Sequence, residues 1–191
     1  MKFCSHCGAD IIIKIPPNDD RERFVCSSCE IIHYQNPNVI AGCIPVWENR
    51  ILLCKRAIEP RSGYWTLPAG FMELGETTIE AARRETMEEA NARVEIQNLY
   101  TVINLPHANQ VYMMFRARLK DLDFSPGAES TEVDLFEESG IPWDKLAFRT
   151  IEHTLDFYFT DAPCGHFPLR FGDLIKQEKN YTFRPGPGID N

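Results

Sequence analysis

The sequence lacks any long apolar run, and this absence argues against a membrane-spanning helix. A helix that crosses a bilayer needs ~20 consecutive, mostly apolar residues, and no stretch of the 191 residues comes near that length. The first residues, Met1 to Cys4, also lack the apolar stretch of a secretory signal peptide. We therefore expect a cytoplasmic protein that does not associate with membranes.

The sequence also lacks an excess of basic residues. Its 20 Lys and Arg stand against 28 Asp and Glu, which gives a net charge of −8. A nucleic-acid-binding protein normally presents a basic face that releases phosphate counterions, so this balance argues against a nucleic-acid partner. A small anionic substrate remains possible, because bound divalent cations reverse the local sign of an acidic site.

The seven cysteines are an odd number, and they are unevenly spaced. Two Cys-x-x-Cys pairs, eighteen residues apart, are formed by Cys4, Cys7, Cys26 and Cys29. Such pairs supply the thiolates of a closed tetrahedral zinc site, and in an intracellular chain they indicate a metal rather than disulfides. His6 and His33 are nearby alternative ligands. Residues 1–36 are too few to fold on a core of their own, so we predict a small zinc ribbon with a structural Zn²⁺. It carries no basic stripe for nucleic acid.

Residues 37–178 are predicted to form one domain that contains both strands and helices. Strand patterns cover 39–47, 51–54, 94–105, 110–119 and 132–136. Helical spacing predicts one helix over about 77–90 and another over about 146–159. Many strands with two substantial helices predict an α/β (α+β) fold, a mixed sheet sandwiched between helices.

Two further segments carry Pro and Gly. A loop that contains Pro60, Gly63 and Pro68 precedes the first helix. Residues 179–191 are predicted to form a C-terminal tail that is poorly ordered or loosely docked.

The first helix has a suitable beginning and an apolar stripe. Thr77 or Thr78 is a fitting N-cap. The stripe expected to be buried consists of Ile79, Ala82, Thr86 and Ala90.

On another face of this helix, Glu85, Glu88 and Glu89 stand at i, i+3 and i+4, so three carboxylates lie together. A Glu-rich helix face is usually a solvated surface, and these three residues alone favour that interpretation. Oxygen-rich, charge-dense clusters also suit Mg²⁺ or Mn²⁺. The sequence around these three glutamates decides between a solvated surface and a metal site.

The segment from Gly70 to Ala92 resembles the Nudix box. That motif reads Gly, five residues, Glu, seven residues, Arg-Glu, an apolar residue, any residue, Glu-Glu, any residue, Gly and an apolar residue. The matching positions are Gly70, Glu76, Arg84, Glu85, Glu88 and Glu89. Thr86 replaces an apolar residue, and Asn91 replaces the glycine. Asn is the non-glycine residue best suited to the left-handed helix cap expected there.

The resemblance implies a Nudix-type α/β/α sandwich and a pyrophosphohydrolase. Nudix enzymes use the box glutamates to hold divalent ions that polarise a phosphate and activate water. Carried over, Glu85, Glu88 and Glu89 are catalytic metal ligands for Mg²⁺ or Mn²⁺, and Gly70 approaches the metal through its carbonyl. Arg84 and Glu76 are expected to brace the loop and the helix.

Two candidates lie outside the box. Glu132 is in a segment that resembles a later strand of the family, whose leading acidic residue adds a metal ligand or a general base; Asp134 shares its face. Arg56 follows Lys55 at a strand end and is a candidate phosphate-binding residue.

The substrate is implied only by resemblance. A zinc ribbon followed by a Nudix domain is similar to the branch that contains NADH pyrophosphatases and enzymes active on FAD and ADP-ribose. The NADH signature, Ser-Gln-Pro-Trp-x-Phe-Pro, has no counterpart in residues 101–112, so we expect hydrolysis of FAD or ADP-ribose with release of AMP. The candidates for stacking on an adenine or flavin ring are Tyr64, Trp65, Phe71 and Tyr112.

Three alternatives stay open. The first two are NADH pyrophosphatase activity and removal of an NAD cap from RNA, which use the same chemistry. The third is a non-catalytic regulator that binds nucleotide or nucleic acid. The resemblance also implies a possible homodimer.

Overall fold

The computed structural model describes residues 1–178 and 180–187. The chain forms two compact units, Met1–Pro37 and a second unit that begins at Asn38. In the first unit, β1 (Ile11–Lys14), β2 (Arg23–Cys26) and β3 (Ile32–His33) form an antiparallel sheet in the order β1-β2-β3. Residues 1–37 are all described, and the buried ones are Cys4, Pro16, Val25 and Cys26. This unit therefore has almost no apolar core.

The second unit contains one mixed sheet. Its strands are β4 (Asn38–Trp47), β5 (Arg50–Arg56), β6 (Trp65–Thr66), β7 (Ala69–Phe71), β8 (Val94–Leu105), β9 (Gln110–Leu119), β10 (Ser130–Phe136), β11 (Arg170–Gln177) and β12 (Asn180–Pro185). The main order is β10-β5-β4-β9-β8-β11-β12, with β6 paired to β5 and β7 to β4. The pairs β4–β9 and β8–β11 are parallel. The helices are α1 (Thr78–Ala90) and α2 (Arg149–Asp161).

Each helix belongs to a different core cluster. Along β5, Ile51 and Leu53 join the cluster that contains α2, whereas Leu52 and Cys54 join the cluster that contains α1. Successive strand residues point to opposite faces of a sheet, so the two clusters fill its two faces. The predicted mixed sheet between helices is confirmed.

In α1 the predicted stripe is correct except at Ile79. Ala82, Thr86 and Ala90 are buried, but Ile79 is 40% exposed. The first buried residue of the helix is Ala81, so the first turn extends past the part that packs against the sheet.

Helix α2 begins three residues later than predicted, although its buried residues Ile151, Leu155 and Tyr158 are as expected. Leu146 and Phe148 are extended instead, because this segment is tied to β6. Ala147 N donates to Trp65 O at 2.8 Å, and Leu146 forms a parallel bridge with Trp65.

Two segments predicted to be irregular contain strands. The loop before α1 carries β6 and β7. The prediction of a loosely docked tail was wrong for β12, which pairs with β11 from Gly172–Pro185 to Gln177–Asn180. Residues 179 and 188–191 of that predicted tail lie outside the described residues. Antiparallel pairing with the preceding strand supplies the order that the composition of residues 180–185 does not indicate.

Candidate active site

Helix α1 is closed at both ends by the side chains predicted there. Thr77 Oγ1 accepts from the Glu80 amide at 3.2 Å, and Glu80 Oε2 accepts from the Thr77 amide at 2.7 Å, which is a capping box. Asn91 has φ 48° and ψ 25°, and its N–H donates to Met87 O. The left-handed cap predicted for Asn91 is therefore confirmed. These caps fix where α1 presents its carboxylates.

Arg84 connects the loop before α1 to the helix. Its Nε and Nη2 donate to the two carboxylate oxygens of Glu76 at 3.1 and 2.7 Å. Its Nη1 donates to Glu85 at 2.6 Å and to Glu88 at 3.0 Å. Pairing with Glu76, and then with the other two carboxylates, raises the pKa of Arg84, and the same pairing lowers the pKa of Glu76. One guanidinium thus fixes three carboxylates relative to one another.

Gly70 in β7 lies directly against the carboxylate of Glu85. A Cβ built on Gly70 would be 2.4 Å from Glu85 Cδ and Oε2, so only glycine allows the backbone to approach this closely. The Glu85 side chain is 13% exposed. Burial raises the pKa of Glu85, and the hydrogen bond from Arg84 opposes that increase.

Glu89 is the most buried of the three box carboxylates, with 5% of its surface exposed. Burial, together with the charge of Glu85, raises the pKa of Glu89 to about 8, although an N–H bond from Ala69 opposes this. Its Oε2 accepts no hydrogen bond from residues 1–178 or 180–187. A buried carboxylate oxygen without a donor is destabilising, and a divalent cation would satisfy it. The carboxylate donors of this cluster fit a hard cation such as Mg²⁺ or Mn²⁺.

A cavity of about 1250 Å³ opens over these carboxylates. Its acidic residues include Glu85, Glu88, Glu89 and Glu129. Its basic and aromatic residues include Arg56, Arg61, Tyr64, Phe71, His107, Tyr112, Phe148, Arg149 and Tyr181. The arrangement places a set of carboxylates suited to a divalent cation beside residues of the types that commonly bind phosphates and aromatic rings.

The cavity brings together most of the residues predicted for the site. Gly70, the three box glutamates, Arg56, Tyr64, Phe71 and Tyr112 all line it. The Arg56 Nε donates to Pro60 O at 2.9 Å, and its guanidinium lies 5.2 Å from the ring centre of Phe148. Among the described residues, the lining includes neither Trp65 nor Glu132.

Trp65 belongs to the core. It is 9% exposed, and its ring contacts Phe136 edge-on with centroids 4.9 Å apart. Tyr64, its neighbour in the chain, lines the cavity instead, because adjacent residues of an extended segment point to opposite sides.

Glu132 lies on β10 and pairs with Lys55. The Lys55 Nζ to Glu132 Oε1 distance is 2.6 Å, and the Glu132 side chain is 57% exposed. Strand β10 starts at Ser130 rather than at Glu132, so the acidic residue that immediately precedes the strand is Glu129. The sequence contains both acids in one short segment, and only the starting point of the strand distinguishes them.

Sequence reasoning also missed several lining residues. Tyr181 is on β12, which was predicted as tail, and its ring contacts His107 with centroids 5.6 Å apart. Phe148 was predicted inside α2, whereas it is the extended residue before that helix. Correct strand and helix limits would have been needed to find either residue.

In the first unit, the four predicted zinc ligands come together. Sulfur atoms of Cys4, Cys7, Cys26 and Cys29 all lie within 4.8 Å of one another. The Cys4–Cys29 and Cys7–Cys26 distances are 3.7 and 3.4 Å, close to the separation of about 3.8 Å that a tetrahedral site with Zn–S bonds of ~2.3 Å requires. The donor set therefore fits Zn²⁺.

Backbone amides around the cluster favour the thiolate at two of the four cysteines. N–H bonds, first from Cys7, lower the pKa of Cys4 to about 5, and those from Cys29 and Ser28 lower the pKa of Cys26. At Cys29, a hydrogen bond from the Ile31 amide is outweighed by burial and the neighbouring sulfurs, which raise the pKa to about 12. His33 Nε2 lies 3.3 Å from Cys4 Sγ, beside the four sulfurs.

Within the described part of the chain, no helix is both long and apolar enough to span a bilayer.

Comparison with known proteins agrees with this organisation. Residues 2–35 match the zinc-ribbon family described as Nudix N-terminal, and residues 36–136 match the NUDIX domain family. The chain is similar to the crystal structure of a NUDIX hydrolase from Nitrosomonas europaea, with 57% identity and a TM-score of 0.90 over 92% of this chain and 100% of that one.

Curated relatives carry two activities in their names. An ADP-ribose pyrophosphatase of Methanocaldococcus jannaschii is 32% identical over 60% of this chain and 69% of its own length. An NAD-capped RNA hydrolase of Salmonella typhi is 37% identical over 55% of this chain, but the match covers only 38% of that protein.

Proposed function

This chain belongs to the Nudix family of hydrolases, and we propose that it hydrolyses the pyrophosphate bond of FAD or ADP-ribose and releases AMP. The attacking water forms a bond to one phosphorus as the bridging P–O bond breaks. The second product carries the other phosphate, and up to two protons are released because both products are phosphomonoesters with a second pKa of about 6. The observation that carries the proposal is the single cavity that contains both the carboxylate cluster and the basic and aromatic residues.

The volume of the cavity supports a substrate with a group on each side of its diphosphate. Ligand pockets commonly enclose about 300–1,000 Å³, and this cavity is somewhat larger, at about 1250 Å³. An isolated phosphate would leave most of the aromatic lining without a partner. FAD and ADP-ribose both combine a diphosphate with an adenine ring and a second organic group.

The box carboxylates would hold the divalent cation, Mg²⁺ or Mn²⁺. Glu89 offers a buried oxygen that lacks a hydrogen-bond donor among the described residues, Glu85 lies against Gly70, and Glu88 opens towards the cavity. When bound, the cation polarises a phosphoryl oxygen and the attacking water. Arg84 keeps Glu85 and Glu88 in place, and it acts as a positioning residue.

Glu129 is a further carboxylate of this cluster. It lines the same cavity, and its charge contributes to the raised pKa of both Glu85 and Glu89. We assign it to cation binding or proton acceptance from water, in place of Glu132, which pairs with Lys55.

Arg56 is suited to the phosphates. Its charge acts to lower the pKa of Glu89, which places the guanidinium within electrostatic range of the cluster. A guanidinium can bind two phosphate oxygens at once. The rings would then pack on exposed lining aromatics such as Phe71.

The test is a comparison of products. Purified protein is incubated with FAD, ADP-ribose, NADH and deoxynucleoside triphosphates, each with Mg²⁺ or Mn²⁺, and the products are separated by chromatography. We expect AMP and FMN from FAD, or AMP and ribose 5-phosphate from ADP-ribose, and almost no turnover by Glu88→Gln. If no compound is cleaved and the variant binds the same ligands as the wild type, the protein is a non-catalytic nucleotide-binding regulator instead.

A second candidate is hydrolysis of NADH or of an NAD cap on RNA, which the match to the Salmonella typhi protein favours. The chemistry and the carboxylates would be the same. An NAD-capped oligonucleotide in the same assay distinguishes the two, because preference for it over free NADH requires contacts with RNA. The net charge of −8 opposes such contacts.

For the first unit we propose one structural Zn²⁺ per chain, bound by Cys4, Cys7, Cys26 and Cys29. Elemental analysis of freshly purified, reduced protein tests this, and an absence of zinc would contradict it. The cytoplasmic location and the homodimer stay predictions.

A further inference from the structure

The segment 125–130, here called the Glu129 segment, is docked on the C-terminal end of α1. Ser125 N donates to Ala90 O at 3.0 Å, and Gly127 N donates to Glu89 O at 3.0 Å. Carbonyl groups in the last turn of a helix have no partner within the helix. Two of these carbonyls in α1 are therefore used to bind a segment that lies more than 30 residues further along the chain.

The side chain of Asn91 forms further hydrogen bonds with the Glu129 segment. Its Nδ2 lies 3.1 Å from Ser125 O, 3.1 Å from Ser125 Oγ and 3.2 Å from Pro126 O. All three neighbours can accept a hydrogen bond from the amide. A glycine at this position would form the left-handed cap equally well, but it would make none of these bonds. The departure of this chain from the box motif thus creates a specific contact.

The contact between helix and segment is close. A Cβ built on Gly127 would lie 1.7 Å from the carbonyl oxygen of Glu88. The backbone of the Glu129 segment therefore touches the helix at the turn that carries Glu88 and Glu89.

This docking determines where Glu129 lies. Ser130 N donates to Gly127 O at 3.1 Å, which closes a turn around Glu129, and Glu129 O accepts from Ala57 N at 2.8 Å. The residue is held between the end of α1 and the chain that follows β5. Its carboxylate lines the same cavity as the box glutamates.

We propose that Asn91 is a positioning residue that holds Glu129 at the carboxylate cluster and thereby strengthens cation binding and raises kcat. The inference rests on the proposed function, in which Glu129 belongs to the cation-binding site. Asn91 itself does not touch the substrate. It acts through Ser125 and Pro126 on the position of Glu129.

The central variant is Asn91→Gly, because glycine keeps the left-handed cap and removes only the amide. Asn91→Asp keeps the size and places a carboxylate oxygen against the carbonyl oxygens of Ser125 and Pro126, neither of which can donate to it. Asn18→Gly is the matched control, since Asn18 also has a positive φ, of 65°, and lies in the zinc-ribbon unit. Mn²⁺ affinity is measured by titration of the protein without substrate, and hydrogen exchange reports on the amides of Ser125 and Gly127.

We expect Asn91→Gly to weaken Mn²⁺ binding and to lower kcat by about three- to tenfold each. This is less than the roughly 10- to 100-fold typical of residues that contact a metal ligand directly, because Asn91 acts through the backbone of the Glu129 segment. KM should change less than kcat. The amides of Ser125 and Gly127 should exchange faster, and Asn91→Asp should have the larger effect. Asn18→Gly should leave all four quantities unchanged.

A double-mutant cycle with Glu129→Gln decides whether Asn91 acts through Glu129. If it does, Asn91→Gly has no further effect on Mn²⁺ affinity once Glu129 is replaced. Fully multiplicative effects, or wild-type Mn²⁺ affinity in the Asn91→Gly protein, would overturn the inference. These measurements need no substrate, so they remain decisive even if the assay finds no hydrolysis and the proposed function fails.

Discussion

Each of the two units contains a set of side chains suited to binding a metal ion. The two sets differ in how much apolar core surrounds them. In the zinc-ribbon unit, two of the four cysteines, Cys4 and Cys26, make up half of the buried residues. In the second unit, the carboxylates of α1 stand on a sheet whose two faces are covered by apolar clusters. We therefore expect the first unit to need its metal in order to fold, whereas the apolar core of the second unit can form without one.

The two units also differ in how the surroundings of their candidate metal ligands change the pKa of those ligands. Backbone N–H groups lower the pKa of Cys4 and Cys26 and so prepare thiolates for a cation. Glu89 is in the opposite situation, because burial and the charge of Glu85 raise its pKa to about 8. Burial of the Glu89 carboxylate therefore destabilises the fold locally. The apolar clusters on the two faces of the sheet compensate for this cost.

The largest effect is expected from removing the zinc. Cys26→Ser, or a strong chelator, should unfold residues 1–37, because zinc binding contributes on the order of 10 kcal/mol to folding in such small units. Limited proteolysis should then cleave this unit rapidly and leave the second unit intact. Cys164→Ser, which changes an exposed cysteine outside the cluster, should retain one zinc per chain. If the first unit still resists proteolysis after zinc has been removed, its fold does not depend on the metal.

Glu88→Gln should abolish most activity with little change in stability. Loss of one cation ligand is expected to lower kcat by roughly 10²–10³-fold, equivalent to about 3–4 kcal/mol of transition-state stabilisation. The Glu88 side chain is 58% exposed, so Tm of the metal-free protein should shift by less than about 2 °C. Glu95→Gln, in an exposed ion pair with Arg118, is the control and should match the wild type in both measurements.

Glu129 and Glu132 can be separated by the same kinetic assay. Glu129→Gln should lower kcat by about tenfold, since it removes a carboxylate from the cavity. Glu132→Gln should change kcat by less than about twofold, because its partner is Lys55 at the surface. A larger loss from Glu132→Gln would restore the assignment made from the sequence.

The smallest effect is a pH dependence of stability in protein free of Mg²⁺ and Mn²⁺. Glu89 has a pKa of about 8 in the folded protein and near 4.5 when unfolded, so the folded state binds more protons between these values. The free energy of unfolding should therefore fall as pH rises from about 5 to 8. Denaturant titrations of Glu89→Gln should show a shallower decline, with the remainder due in part to Glu85, whose pKa is also raised. Equal slopes in the two proteins would contradict the assigned burial of Glu89.

Much of the fold could be predicted because local patterns determine it. The strands over 94–105 and 110–119 agree with the structure to the residue, as does the cap at Asn91, and the N-cap is Thr77, one of the two residues predicted for it. Alternation and capping are properties of neighbouring residues, and these can be read from the sequence.

The remaining features depend on pairing between segments, which local patterns do not indicate. Strand β12 exists because the preceding strand, β11, offers it an edge, and Leu146 is extended because it bridges to the distant Trp65. The choice between Glu129 and Glu132 depends on where β10 begins to pair with β5. Within the site, the helix carboxylates could be predicted from one segment, whereas the wall formed by His107, Phe148 and Tyr181 comes from three separate parts of the chain.

The contacts of Arg84 have a consequence for insertions and deletions. Its guanidinium spans from Glu76 in the loop to Glu85 and Glu88 on the helix, and each added residue would rotate everything beyond it by about 100° around the helix axis. One extra residue between Glu76 and Arg84 would thus point Arg84 away from its loop partner, even if every side chain were retained. This segment can accept substitutions on its solvent face, but its length cannot change.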